Sequence, residues 1–197
     1  MRSKVQSPKS KVGKLAIVAL GSNLGDPRQN VLRAMERLQA LSEHPLLKSS
    51  LWQTAPVDCP AGSPAFINAV VAFVPRPGAT PESVLDSLQE IEKEFGRKPK
   101  KVLNESRPLD LDLIAFGRET RAAKELMLPH PRAHKRRFVL QPLSEIAPDL
   151  ILPRQKKTVL HLLSELPPGG AQPMSSESDK NSTLVLGPGI FGPCVPH

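Results

Sequence analysis

Tyrosine is absent from these 197 residues, and the other aromatics are sparse, with one Trp and six Phe. No segment resembles the aromatic RNP1 motif of sheet-based RNA binders, which counts against a stacking surface for nucleic acid. Cysteine is nearly absent too. Cys59 and Cys194 are far apart and form no CxxC. That argues against a disulfide scaffold or a zinc site and fits a reducing compartment. No apolar run approaches the roughly 20 residues needed to span a bilayer. No GxxxxGK[ST] occurs, so any use of ATP here proceeds without a P-loop. The basic start, Met1 to Lys14, precedes a short apolar run, Leu15–Leu20, with no small-x-small cleavage pattern. It reads as a disordered basic leader over 1–13, before a core strand of a cytoplasmic protein.

What is abundant is proline, 22 residues, and positive charge, a net +8. The charge points to an anionic partner without choosing between nucleic acid, nucleotide and lipid headgroup. The chain length is that of one domain, expected over 14–166, followed by a Pro/Gly/Ser-rich tail, 167–197, expected to be disordered.

Apolar patterning gives the elements in order. Lys14–Gly21 is a buried strand. Asp26-Pro27 starts a helix, as N-cap acceptor and N1 proline, that runs to about Leu41. Leu46–Thr54 alternates as a second strand, with Leu47, Ser49, Leu51 and Gln53 on one side and Lys48, Ser50 and Trp52 on the other. Ala55–Ala65 is a loop, and Phe66–Val74 is a third strand, antiparallel to the second. Thr80-Pro81-Glu82 opens a second helix, which Gly96 stops. Arg97–Ser106 is a basic connection, and Asp110–Phe116 is a fourth strand. Arg118–Leu128 has no clear pattern. Pro129–Arg137 is a basic loop, Phe138–Ile146 a helix and Thr158–Leu166 a short amphipathic helix. The order β-α-β-β-α-β predicts an α+β, ferredoxin-like sandwich: an antiparallel sheet with helices packed on it.

The chemistry centres on Arg107-Pro108-Leu109-Asp110-Leu111-Asp112-Leu113. On a strand, Asp110 and Asp112 point to the same face, with the leucines opposite. Two adjacent carboxylates need a counter-charge, and a hard divalent cation such as magnesium supplies one. Basic segments flank the pair: Arg97–Lys101 before it, and His130, Arg132, His134 and Lys135–Arg137 after it. Acids that hold magnesium, surrounded by Arg, Lys and His, are what phosphoryl transfer requires.

LAIVALGSNLGD, FINAVVAF, SRPLDLDLIAFG and LPHPRAHKRRFVLQPLSEIAPDL, in this order and spacing, resemble the 6-hydroxymethyl-7,8-dihydropterin pyrophosphokinases of folate biosynthesis. The resemblance runs from about Lys14 to Leu166. It implies transfer of pyrophosphate from ATP to the pterin hydroxymethyl group, with AMP leaving. It implies two magnesium ions on Asp110 and Asp112, with Arg97 and Arg107 assisting transfer. Gln89, Glu92, Arg97, Arg107, Leu113, His130 and Arg136 fall at ATP-binding positions. Thr54, Val57, Phe66, Asn68 and Phe138 fall at pterin-binding positions, with Phe66 and Phe138 stacking the ring and Asn68 reading its edge. The loops near Gly21–Gly25, Val57–Ala65 and Lys98–Ser106 are expected to act as lids. The chain departs from the family pattern at Pro99, Leu103, Glu105 and Pro131.

Two other classes stay open on the residues alone. A nucleic-acid-binding ferredoxin-like module fits the charge but leaves the acid pair unexplained. A metal-dependent nucleotidyltransferase would use the same pair. The expectation is a monomer acting on ATP and the dihydropterin, with neither membrane nor nucleic acid as partner.

Overall fold

The apolar run after Leu15 forms β1 (Ala16–Ser22), buried along its whole length. The continuous run has a physical cause: both faces of the sheet around it are covered. The computed structural model describes residues 15–56, 59–60, 62–97 and 106–174. The leader 1–13, Val57, the segment 98–105 with Pro99, Leu103 and Glu105, and 175–197 lie outside the described residues.

Helix α1 (Pro27–Leu38) starts as expected, with the Asp26 carboxylate accepting from the Gln29 amide. A 3-10 turn, Gln39–Leu41, completes the expected span. Strand β4 (Phe66–Phe73) pairs antiparallel with β1. Helix α2 (Pro81–Glu94) opens on a capping box between Thr80 and Ser83. Strand β5 (Asp110–Phe116) pairs antiparallel with the other edge of β1.

The expected single strand over Leu46–Thr54 is corrected. It is two pieces, β2 (Leu47–Lys48) and β3 (Trp52–Thr54), both paired with β4. Lys48 faces Val71 and Trp52 faces Asn68. Three residues, 49–51, therefore stand opposite two, which is a β-bulge. The Ser49 hydroxyl accepts the Val70 amide at 2.9 Å, and the Ser49 amide donates to the Val70 carbonyl. A one-residue slip exchanges faces, so Trp52 shares a face with Leu47 and not with Lys48.

The unpatterned stretch forms a small hairpin, β6 (Arg121–Ala122) and β7 (Met127–Leu128), ahead of a cis Leu128-Pro129 bond. Helices α3 (Arg137–Ile146) and α4 (Val159–Ser164) follow. Strand β8 (Ala171–Pro173) then pairs with β3. The fold thus continues beyond the boundary expected at Leu166, because β3 has an outer edge whose backbone groups take a further strand.

The strand order is β5-β1-β4-β3-β8. Helices α1 and α2 bury Val31, Met35, Leu38, Val84, Leu88 and Ile91 against one face, with Val18, Leu20, Leu111 and Leu113 beneath them. Helices α3 and α4 bury Val139, Leu140, Leu143, Val159 and Leu163 against the other, over Ala19, Val70 and Ile114. The ferredoxin-like order holds, with a further helical layer on the second face. That layer comes from the C-terminal third of the chain.

Candidate active site

Pairing register lays the polar residues in one row across the sheet. Gly21 stands opposite Asp110 on one side and Asn68 on the other, and Asn68 stands opposite Trp52. Residues opposite one another share a face. This row lies on the α3 face, at the strand ends where the helix begins. Asp112 stands one step inward, opposite Ala19.

The acids are neutralised by arginines. Asp110 takes Arg97 Nη1 on Oδ1 at 2.9 Å and Arg107 Nη1 on Oδ2 at 3.0 Å. Arg136 Nη1 lies 3.7 Å from Asp112 Oδ2. Three residues widely separated in sequence thus place guanidinium groups on two carboxylates. Arg136 also stands over the Phe138 ring, 5.3 Å from its centroid, within cation–π range.

The loop after β1 sets Arg107. Ser22 and Asn23 are buried. The Ser22 hydroxyl donates to the Pro108 carbonyl at 2.6 Å, and Asn23 Oδ1 accepts the Arg107 amide at 2.8 Å. The Asn23 amide donates back to the Arg107 carbonyl, and Asn23 Nδ2 donates to Ser106 Oγ. The lid expected near Gly21–Gly25 is therefore corrected over its first half. Gly21 and Ser22 belong to β1, and Asn23 is tied to the segment that carries Arg107.

Across Gly21 from Asp110, Asn68 Nδ2 donates to Thr54 Oγ1 at 2.7 Å, which orients the amide. A Cβ on Gly21 would lie 3.1 Å from Asn68 Oδ1 and 3.9 Å from the Phe66 ring. Glycine keeps this floor open between an amide and an aromatic edge. Phe66 and Phe138 are both half-buried, at the start of β4 and in the first turn of α3.

His130 is held neutral. Its Nδ1 accepts the Arg132 amide at 3.3 Å, so the proton sits on Nε2. Burial, with the positive charges of Arg136 and Arg132 beside it, lowers its pKa to about 4.

Glu92 is the one buried carboxylate among the described residues, 6% exposed. Its Oε1 accepts the Leu111 amide at 2.7 Å, between the two aspartates, and also receives Arg97 Nη1. Burial pushes its pKa up to about 7, against the opposing pull of the Leu111 amide and Arg97. By helical pattern Glu92 reads only as a polar residue beside Ile91; the family resemblance alone put it among the ATP-binding positions, and its burial against the Leu111 amide is a finding of the structure. No helical spacing announces its pairing with Arg97, which depends on the turn after the helix.

Among the described residues no cluster of three or more His, Cys, Asp and Glu could hold a metal ion. Asp110 and Asp112 offer two hard oxygen donors on adjacent rows. That set suits magnesium when further ligands come from phosphate oxygens and water.

The profile of the family described as 7,8-dihydro-6-hydroxymethylpterin-pyrophosphokinase matches residues 17–148. The chain is 40% identical over 137 residues to the 2-amino-4-hydroxy-6-hydroxymethyldihydropteridine pyrophosphokinase of Pseudomonas aeruginosa, covering 69% of this chain and 82% of that one. It is 38% identical over 142 residues to the protein of that name from Haemophilus influenzae, covering 72% and 86%. A crystal structure of Plasmodium falciparum HPPK-DHPS superimposes with a TM-score of 0.60 at 13% identity, over 76% of this chain. This chain spans 44% of that longer one, and the likeness shows the fold.

Proposed function

The chain belongs to the 7,8-dihydro-6-hydroxymethylpterin-pyrophosphokinase family, and from that premise we propose that it transfers pyrophosphate from ATP to 6-hydroxymethyl-7,8-dihydropterin in folate biosynthesis. The pterin hydroxyl attacks the β-phosphorus, the bond to the α-phosphate oxygen breaks, and AMP leaves. The observation that carries this reading is the single row Asp110–Gly21–Asn68 across the sheet. It puts a carboxylate that can face a cation and an amide that can read a heterocycle edge on either side of an open floor.

Asp110 and Asp112 would hold the magnesium ions, two in this reading, which screen the triphosphate and polarise its oxygens. Arg97, Arg107 and Arg136 exchange their aspartate partners for phosphate oxygens and stabilise charge on the transferred group. His130, neutral with Nε2–H free to donate, contacts a phosphate oxygen. Gln89, exposed on α2, and the backbone of Leu113 at the outer edge of β5 border the nucleoside; the Leu113 side chain itself is buried under the helices. Phe66 and Phe138 flank the pterin ring, and Asn68 with Thr54 and the backbone near Val57 reads its polar edge. Positioning and electrostatics do most of the work, and no strong general base is required. The cytoplasm is the setting that belongs to this reading, with the chain acting as a monomer.

The test is incubation with magnesium-ATP and the dihydropterin. AMP formation is the expected result. ADP would mean an ordinary kinase, and released pyrophosphate a nucleotidyl transfer. Asp110→Ala should lower turnover by orders of magnitude and leave pterin affinity within a few-fold. Near-normal turnover in that variant would remove the metal assignment.

A further inference from the structure

Helix α2 ends in a way that throws Arg97 back over its own last turn. Gly96 has φ +82°, a left-handed conformation that glycine adopts without strain. The Gly96 amide donates to the Lys93 carbonyl and the Arg97 amide to the Glu92 carbonyl. These are the two bonds of a Schellman cap. They bring Arg97 and Glu92 together in the backbone before any side chain contributes.

The side chains then meet. Arg97 Nη1 bonds Glu92 Oε1 and lies 2.9 Å from Asp110 Oδ1. One nitrogen is shared by two carboxylates of different standing. Asp110 is a candidate metal ligand, about a quarter exposed. Glu92 is buried on the α2 side and tied to the Leu111 amide, so no cation entering from the pocket can take it as it takes Asp110.

Resting on the reading above, we infer that Glu92 is a positioning residue: it is the fixed buried partner that keeps Arg97 in the site when Asp110 turns to a cation. With Glu92 charged, Arg97 yields Asp110 and keeps Glu92, its buried partner, and its guanidinium stays at the edge of the triphosphate. With Glu92 neutral, Arg97 depends on Asp110 and competes with the metal for it. Glu92 therefore acts on metal and nucleotide through Arg97.

Manganese titration with a non-hydrolysable ATP analogue tests this, followed by the paramagnetic signal of the free ion. Glu92→Gln keeps an oxygen for the Leu111 amide. It should weaken manganese binding and lower kcat, each about tenfold, with the pterin KM changed less than twofold. In an Arg97→Ala background the same Glu92→Gln change should leave manganese affinity unaltered, because the competing guanidinium is gone. A merely structural glutamate would give the same loss in both backgrounds, and that result overturns the inference. So does wild-type manganese affinity in E92Q alone. Should E92Q fail to fold, R97A by itself decides: without nucleotide it should bind manganese several-fold more tightly than wild type, and unchanged affinity overturns the idea. If the wild-type protein with nucleotide binds no manganese, the metal reading of Asp110 and Asp112 falls and takes this inference with it.

Discussion

At the scale of single residues, two buried titratable groups pull the fold in opposite directions as pH changes. His130, lowered to about 4, takes up its proton in the unfolded chain first. Its contribution is fully present above about 6.5 and is lost as pH falls from there toward 4. Glu92, raised to about 7, ionises in the unfolded chain first. Its contribution is fully present below about 4.5 and is lost as pH rises toward 7. Each is worth about 3 kcal/mol at most, so between these limits they nearly cancel. Chemical denaturation of the ligand-free protein between pH 4.5 and 7 separates them. Relative to wild type, His130→Gln should gain stability at the acid end. Glu92→Gln should gain it at the neutral end. Flat difference curves for both would mean that neither group is desolvated. The acid pair and the flanking arginines were legible as residue types at their spacings, whereas Phe66 and Phe138 were singled out only by the family resemblance. Asn23 and Glu92 gave less away, because a polar residue in a turn and an acid on a helix are ordinary until burial makes their partners obligatory.

At the scale of elements, the edge of the sheet is placed from two sides. From α3, Glu145 accepts the Trp52 indole proton at 2.9 Å and the Ser50 amide at 2.7 Å. From beyond α4, β8 pairs with β3 from Trp52 to Thr54. Both contacts bear on the short strand whose Thr54 orients Asn68. Glu145→Ala should cost about 1–2 kcal/mol for two charge-assisted bonds on an exposed edge. It should also raise the pterin KM several-fold while leaving the ATP KM unchanged. Trp52 is the chain's one tryptophan, so its emission reports the displacement directly. Unaltered emission and kinetics would show that the edge is set elsewhere. Helix starts at Pro27 and Pro81 were readable because caps and prolines are local. The bulge at 49–51 was not, since its extra residue is defined only against β4.

At the scale of the whole molecule, 27 basic residues against 19 acidic ones favour an anionic ligand, yet among the described residues the acids of the site are already paired with arginines. Glu92, Asp110 and Asp112 face Arg97, Arg107 and Arg136. A triphosphate entering alone would displace carboxylates from their arginines and add negative charge beside them. A triphosphate entering with a divalent cation gives phosphate oxygens to the arginines and the cation to the aspartates they leave, while Glu92 stays with Arg97. Magnesium-ATP should therefore raise the melting temperature, by about 2.7 kcal/mol of stability at a hundredfold excess over Kd. ATP with EDTA should give much less. Equal shifts with and without the metal would contradict the exchange of partners. No helix of the described residues is long and apolar enough to cross a membrane.

By itself the sequence determined the β-α-β-β-α-β order of the core, the two acids on one strand face and the family, because these depend on local periodicity, caps and ordered motifs. Only the tertiary structure decided which face each residue of the edge strand shows, that the second sheet face is covered by α3 and α4, that β8 joins the edge, and that Arg97 is divided between a buried acid and an accessible one. Those outcomes turn on register and burial. Neither exists until distant segments are packed together.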